Sequence, residues 1–342
     1  MVNWHVISDV GMVYSGVGAA NVLGCPYLFV AGKNQPGVQD TAASERGGRV
    51  WIGIPQDGNL FSETRWKWNL RWEPLFKTRE DLVTDAAPVV GTAWGTPVVF
   101  IKTAGEGRIY YSSYELGEAT AWHEVGGVTD QPLAATGASL NGKTHLYLFR
   151  RNPVDGQIYM TRTSDKHDAK TWETWRVIPG DMYTKKSPAV ATLVAPGGRM
   201  IFVFAKREDN HIAFTASADG VKWSAWRDVV VNGHPIQTLG RLAPTASNWG
   251  ESIYLPFVTP NIDTNIVKAA VLSPVLDGEK VVNATWSVID LCPIPTDFDH
   301  GIVLGGFRNS DSSNLFALFH AVAGNAAVVS RAETVKAVSV KK

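Results

Sequence analysis

With 342 residues, 45% of them hydrophobic, the chain has ample material for a packed core and exceeds one small domain unless its fold is repetitive. Lys and Arg together number 32, as do Asp and Glu, and this balance argues against nucleic-acid and anionic-membrane partners, whose phosphates attract clustered positive charge. No apolar run approaches the roughly 18 residues that a membrane span needs, so no membrane partner is expected.

In chain order, short apolar runs of period two alternate with Gly, Pro, Asn and Asp, which is the pattern of strands and turns. Residues 3–7 form the first such run and carry Trp4. Small residues fill the next, 16–20, and residues 31–48 then form a long insertion, a length common in functional or mobile loops. Hairpins follow: 98–101 with 108–111, 145–149 with 157–160 across Asp155-Gly156, 200–204 with 211–214 across Asp209-Asn210, and 315–319 with 326–329. Runs rich in small residues begin near Pro88, Pro132, Pro188 and Pro244, and small side chains suit strands crowded around an axis.

A tryptophan followed three residues later by an aliphatic recurs at Trp4/Ile7, Trp72/Leu75, Trp122/Val125, Trp175/Ile178, Trp226/Val229 and Trp286/Ile289. The gaps are 68, 50, 53, 51 and 60 residues, and counting from Trp286 through both chain ends to Trp4 gives a sixth gap of 60. A four-stranded unit at this period is a propeller blade, which cannot bury both faces alone. The expected fold is therefore all-β: a six-bladed β-propeller with four antiparallel strands per blade, the N-terminal strand closing the last blade. It is a single domain, 1–342, with blades at roughly 16–75, 86–125, 131–178, 187–230, 243–289, and 300–340 plus 1–8. Tryptophans at one position per blade are expected to pack blade on blade. Trp51, Trp66, Trp68, Trp94 and Trp249 break the period and are candidates for exposed function, with Trp66 and Trp68 on the same side of a strand.

Recognisable catalytic motifs are absent: there is no H-E-x-x-H, G-x-S-x-G, phosphate loop or C-x-x-C. Cys25 and Cys292 make no disulfide framework and fit a reducing compartment. Residues 1–10 lack a basic start followed by an apolar stretch, so no secretory leader and a cytoplasmic location are expected. No metal or cofactor is expected either. Asp297, Asp299 and His300 gather two carboxylates and an imidazole, but no second ligand cluster accompanies them, and a solvated loop is the simpler reading.

On a propeller, one face carries the links from each outer strand to the next inner strand and the turns of the middle hairpins, and rigidly held loops commonly bind. The ligand-binding candidates there are Tyr14, Arg79, Asp85, Tyr183, Arg207, His234, Arg241, Asp297 and His300, with Trp51 as an aromatic platform. Asp130, Asp155, Lys185 and Glu208 share that face. Asp, Arg and aromatic groups together are what a hydroxyl-rich ligand needs.

Residues 217–223, Ser-Ala-Asp-Gly-Val-Lys-Trp, resemble the Asp box of sialidases, one residue shorter, and Ser164-Asp165 through Trp172 is a degraded copy. The resemblance implies a structural turn between third and fourth strands, with Asp219 accepting backbone N–H groups and Trp223 packed between strands. Gly53-Ile54-Pro55 stands where sialidases carry Arg-Ile-Pro, which argues against a working sialidase. The order Pro188-Ala189, Gly198-Arg199, Asp209-Asn210, Trp223-Ser-Ala-Trp226 resembles the repeat of bacterial seven-bladed propeller lectins, while the blade count is closer to fungal six-bladed fucose-binding lectins. The resemblance implies carbohydrate binding. Because no polar or aromatic triad recurs at six loop positions, one asymmetric site is expected rather than six equal ones. The alternative is an enzyme with a single top-face or central-channel pocket, either a glycoside hydrolase or a biosynthetic cyclase, and the sequence leaves enzyme status open. On either reading the expected partner is a small molecule or a glycan.

Overall fold

The computed structural model describes residues 5–7, 13–22, 25–32, 48–55, 70–75, 82–115, 117–164, 171–195, 198–238, 242, 245–246, 252–259, 265–277, 280–294, 302–308, 314–321 and 328–335. All regular elements among them are strands. The insertion expected at 31–48 lies almost wholly outside these residues, as do Trp66, Trp68 and Trp249.

Six antiparallel sheets follow one another along the chain. The first joins Val13–Val22, Cys25–Gly32, Arg49–Pro55 and Leu70–Pro74. The second joins Val89–Ala93, Thr96–Lys102, Arg108–Glu115 and His123–Val128, with Glu118–Ala119 as a short addition. Ala134–Leu140, Lys143–Arg151, Ile158–Thr163 and Arg176–Val177 make the third, and Ala189–Ala195, Gly198–Lys206, Ile212–Ser217 and Arg227–Asp228 the fourth. The fifth holds Thr245–Ala246, Ile253–Thr259, Asn265–Asp277 and Lys280–Ile294. A two-stranded ribbon, Val230–Val231 with His234–Pro235, precedes it.

The sixth sheet closes the chain on itself. Ile302–Arg308, Asn314–Ala321 and Val328–Val335 pair in order, and His5–Ile7 is added as the fourth strand, with His5 opposite Ser330 and Ile7 opposite Val328. The first strands of successive sheets touch in sequence from first to sixth, and the sixth touches the first, so they form a closed ring. Small residues expected there, among them Gly18, Gly91, Gly137 and Ala191, do stand on these strands. At Gly137 only hydrogen fits, because a Cβ would lie 1.8 Å from the Thr92 carbonyl oxygen of the preceding sheet.

The core lies between sheets rather than in one central mass. One apolar cluster joins first and second sheets through Phe29, Ile52, Val99, Ile101 and Trp122; others join second to third, third to fourth and fourth to fifth. Tryptophans stitch these gaps from two positions three residues apart. Trp122 Nε1 donates to Leu75 O at 2.7 Å and Trp175 Nε1 to Gly126 O at 3.0 Å, in each case reaching the preceding sheet. Three residues earlier, Trp172 meets Phe100 edge-on at 5.7 Å and Trp223 meets Phe149 at 6.1 Å. Trp286, expected to match Trp175 and Trp226, instead meets Phe204 and Phe214 edge-on and so takes the place of Trp172 and Trp223.

The tryptophans that break the period are not surface platforms where they are described. Trp51 is only 5% exposed, which corrects the expectation of an exposed aromatic at that site. Its strand is third of four in the first sheet, paired on both edges with Val30 and Pro74 and covered on its faces. Trp94, at φ 55° in the turn before Thr96–Lys102, is half-buried against the cluster between second and third sheets.

Candidate functional site on the loop face

The links between sheets dock on the middle-hairpin turns through a repeated threonine. The N–H groups of Thr84, Thr129, Thr184 and Thr238 donate to the carbonyls of Gly48, Gly107, Gly156 and Asn210 at 2.9 to 3.0 Å. All four threonines are buried. The hydroxyls of Thr84, Thr129 and Thr184 accept from the N–H two residues on, and Thr184 Oγ1 also donates to Lys206 O at 2.7 Å. Buried backbone groups need such partners, so each link is pinned where it enters the next sheet. The sequence carried a signal for this series: each threonine stands three to six residues before the proline that opens an inner strand.

Three cations then occupy one register position. Phe100, Phe149 and Phe204 pair with the first residue of the inner strand in their own sheets, and Lys102, Arg151 and Lys206 lie two residues beyond. Lys102 pairs with Asp85. Arg151 Nη1 reaches both carboxylate oxygens of Asp130 at 2.7 Å, and its Nε donates to Thr184 O at 2.6 Å. Lys206 Nζ donates to Thr238 O at 3.4 Å. The cations sit below the surface, whereas the Asp85 and Asp130 side chains are 38% and 47% exposed. The result is an arc of charge pairs with carboxylate oxygens facing water.

Three of the sequence candidates lie along this arc or beside it. Asp85 is part of it. Tyr183, 53% exposed, precedes Thr184. Arg207 follows Lys206 and holds Asp228 through Nε at 2.9 Å. His234 is exposed on the ribbon rather than in the arc. Tyr14 belongs to the strand Val13–Val22, while Arg79, Arg241, Asp297 and His300 fall outside the described residues. The recurrence of a cation in three consecutive sheets is visible only once each strand is set in register against its inner strand.

Two carboxyl groups at the middle-hairpin turns of this face, Asp209 and Asp155, are shifted toward the ionised form. Asp209 lies below the usual carboxylate range because the His211 side chain donates to it, at 2.8 Å, and the His211 N–H at 3.1 Å. For Asp155, burial pushes upward, but donation from Gln157 N–H and the Tyr159 hydroxyl outweighs it and the carboxyl is lowered. At the opposite end of the fourth sheet, in the turn between third and fourth strands, burial raises Asp219, but the Lys222 and Val221 N–H groups, at 2.7 and 2.8 Å, outweigh it and the carboxyl is lowered. Trp223, which follows this turn, is half-buried against the cluster between third and fourth sheets. Among the described residues no group of three or more His, Cys, Asp and Glu is placed to hold a metal ion.

No family model matches the chain, and no curated protein matches it. Solved structures do. AofleA from Arthrobotrys oligospora superposes with a TM-score of 0.62 at 11% identity, over 98% of this chain and 87% of that one. The alpha-L-arabinanase of Penicillium chrysogenum, complexed with arabinobiose, gives 0.62 at 11% over 97% and 98%. The NanB sialidase of Streptococcus pneumoniae gives 0.61 at 10% over 98% and 70%. At such identities the likeness establishes architecture alone, and with the antiparallel sheets above it makes this chain a β-propeller.

Proposed function

We propose that the chain is a six-bladed, lectin-like propeller that binds carbohydrate through its loop face. The observation that carries this reading is the arc of Lys102–Asp85 and Arg151–Asp130. Its pairs cancel in charge, so it offers no net attraction to an anion, while the outward carboxylates accept from sugar hydroxyls and the exposed Tyr183 supplies an apolar face. Links of unequal length and sequence suit one asymmetric site. A glycan array followed by calorimetry tests the reading: wild type is expected to bind a neutral glycan, and Asp130→Asn to weaken it about tenfold or more. No binding at millimolar sugar would defeat it.

A second reading, an enzyme with one pocket on the same face, draws support from the architecture shared with an arabinanase and a sialidase. Hydrolysis needs a protonated carboxyl as general acid, yet the two carboxyls of this face that shift, Asp155 and Asp209, move the other way. A cyclase acting by shape needs no such acid. Product release from aryl glycosides or arabinan oligosaccharides would favour the hydrolase.

A further inference from the structure

Arg150 occupies a position that packing would fill with an aliphatic side chain. Its register equivalents are Ile101 in the second sheet, inside the cluster with Trp122, and Ala205 in the fourth, inside the cluster that Trp226 covers. Arg150 is 8% exposed. Its guanidinium lies 4.7 Å from the Trp175 ring centroid and 5.2 Å from that of Tyr159. Nη1 donates to Val128 O, and Nε is buried with no acceptor. Among the described residues no carboxylate forms an ion pair with it, although its neighbour Arg151 has one. The carboxylate that acts on it from nearby, Asp155, is tied to Tyr159 Oη and Gln157 N.

Burying a guanidinium without a counter-charge costs several kcal/mol. The stacking on Trp175 and the bond to Val128 tie the second and third sheets together, but an aliphatic would fill the same space without that cost. The site is close to the surface: Val128 and Asp155 are exposed and Tyr159 is half-buried. Gly127, at φ 80°, puts no side chain beside Nε, where a Cβ would come within 3.4 Å of Nε and 2.9 Å of Trp175 Nε1. We propose that Arg150 is the binding group of an oxyanion site between second and third sheets, taking a carboxylate or sulfate carried by a ligand. The site is distinct from the charge-paired arc and does not depend on neutral-sugar binding there.

The test titrates sulfate, glucuronate and glucose into the full chain and into Arg150→Ile, which installs the residue of the second sheet. Both anions are expected to raise the wild-type melting temperature saturably, and Arg150→Ile is expected to lose that rise and bind about tenfold or more weakly. Glucose is expected to give no Arg150-dependent change, so a failed neutral-sugar site and a failed oxyanion site are told apart. In ¹⁵N-labelled wild type, the arginine Nε–Hε resonance missing from Arg150→Lys should move with glucuronate, with sulfate or with both, and this decides the matter even if Arg150→Ile does not fold. Equal anion effects in wild type and Arg150→Ile, or an unmoved resonance, would overturn the proposal.

Discussion

At the scale of single residues, the buried threonines have more at stake than their size suggests. Thr184 receives one N–H, gives its hydroxyl to Lys206 O and satisfies Gly156 O. Thr184→Val keeps the shape and orphans the Lys206 carbonyl and the Lys186 N–H, so a loss of about 1–3 kcal/mol is expected in urea denaturation, with Thr184→Ser recovering most of it. Asp219 predicts a pH dependence. Its carboxyl is lowered in the folded state, so its contribution is present above the unfolded value and disappears as pH falls through the folded one. The stability gap between wild type and Asp219→Asn should therefore be full at neutral pH and close in acid, as urea midpoints across that range would reveal. The Asp219 turn was legible because its hydrogen bonds are local. Trp51 was not, because breaking a sequence period says nothing of which sheet covers a side chain.

At the scale of elements, what holds one sheet to the next is aromatic. Trp122 is buried between first and second sheets with its indole N–H satisfied by Leu75 O. Trp122→Ala should cost about 3–5 kcal/mol, measured by denaturant unfolding, since a large cavity opens where two sheets meet. Strand order and hairpin pairing were readable because period-two runs and turn residues are local signals: 98–101 does pair with 108–111, and 200–204 with 211–214. Which tryptophan of a pair three apart fills the gap was not readable. Trp286 shows why. Trp172 and Trp175 each have their own place in the gap, and only the register of the long strand of Trp286 against Asn265–Asp277 fixes which of the two it takes.

At the scale of the whole molecule, the ring depends on a three-residue strand. Removing residues 1–8 would leave Val328, Val329 and Ser330 without their outer partners, an open edge of unpaired N–H and C=O groups. The truncated chain should melt at lower temperature and associate, and light scattering beside a thermal melt checks this. The circular spacing of tryptophans already implied the joined ends, since each unit needs an outer strand and the sixth had no further Trp of its own. The sequence by itself thus determined strands, their order and the meeting of the termini, all of which follow from local periodicity and repetition. Only the tertiary structure decided which loop groups share a face and how they pair. Lys102, Arg151 and Lys206 come from sheets about fifty residues apart, and their equivalence is a matter of register against inner strands, as is the burial of Arg150 where its counterparts are Ile101 and Ala205.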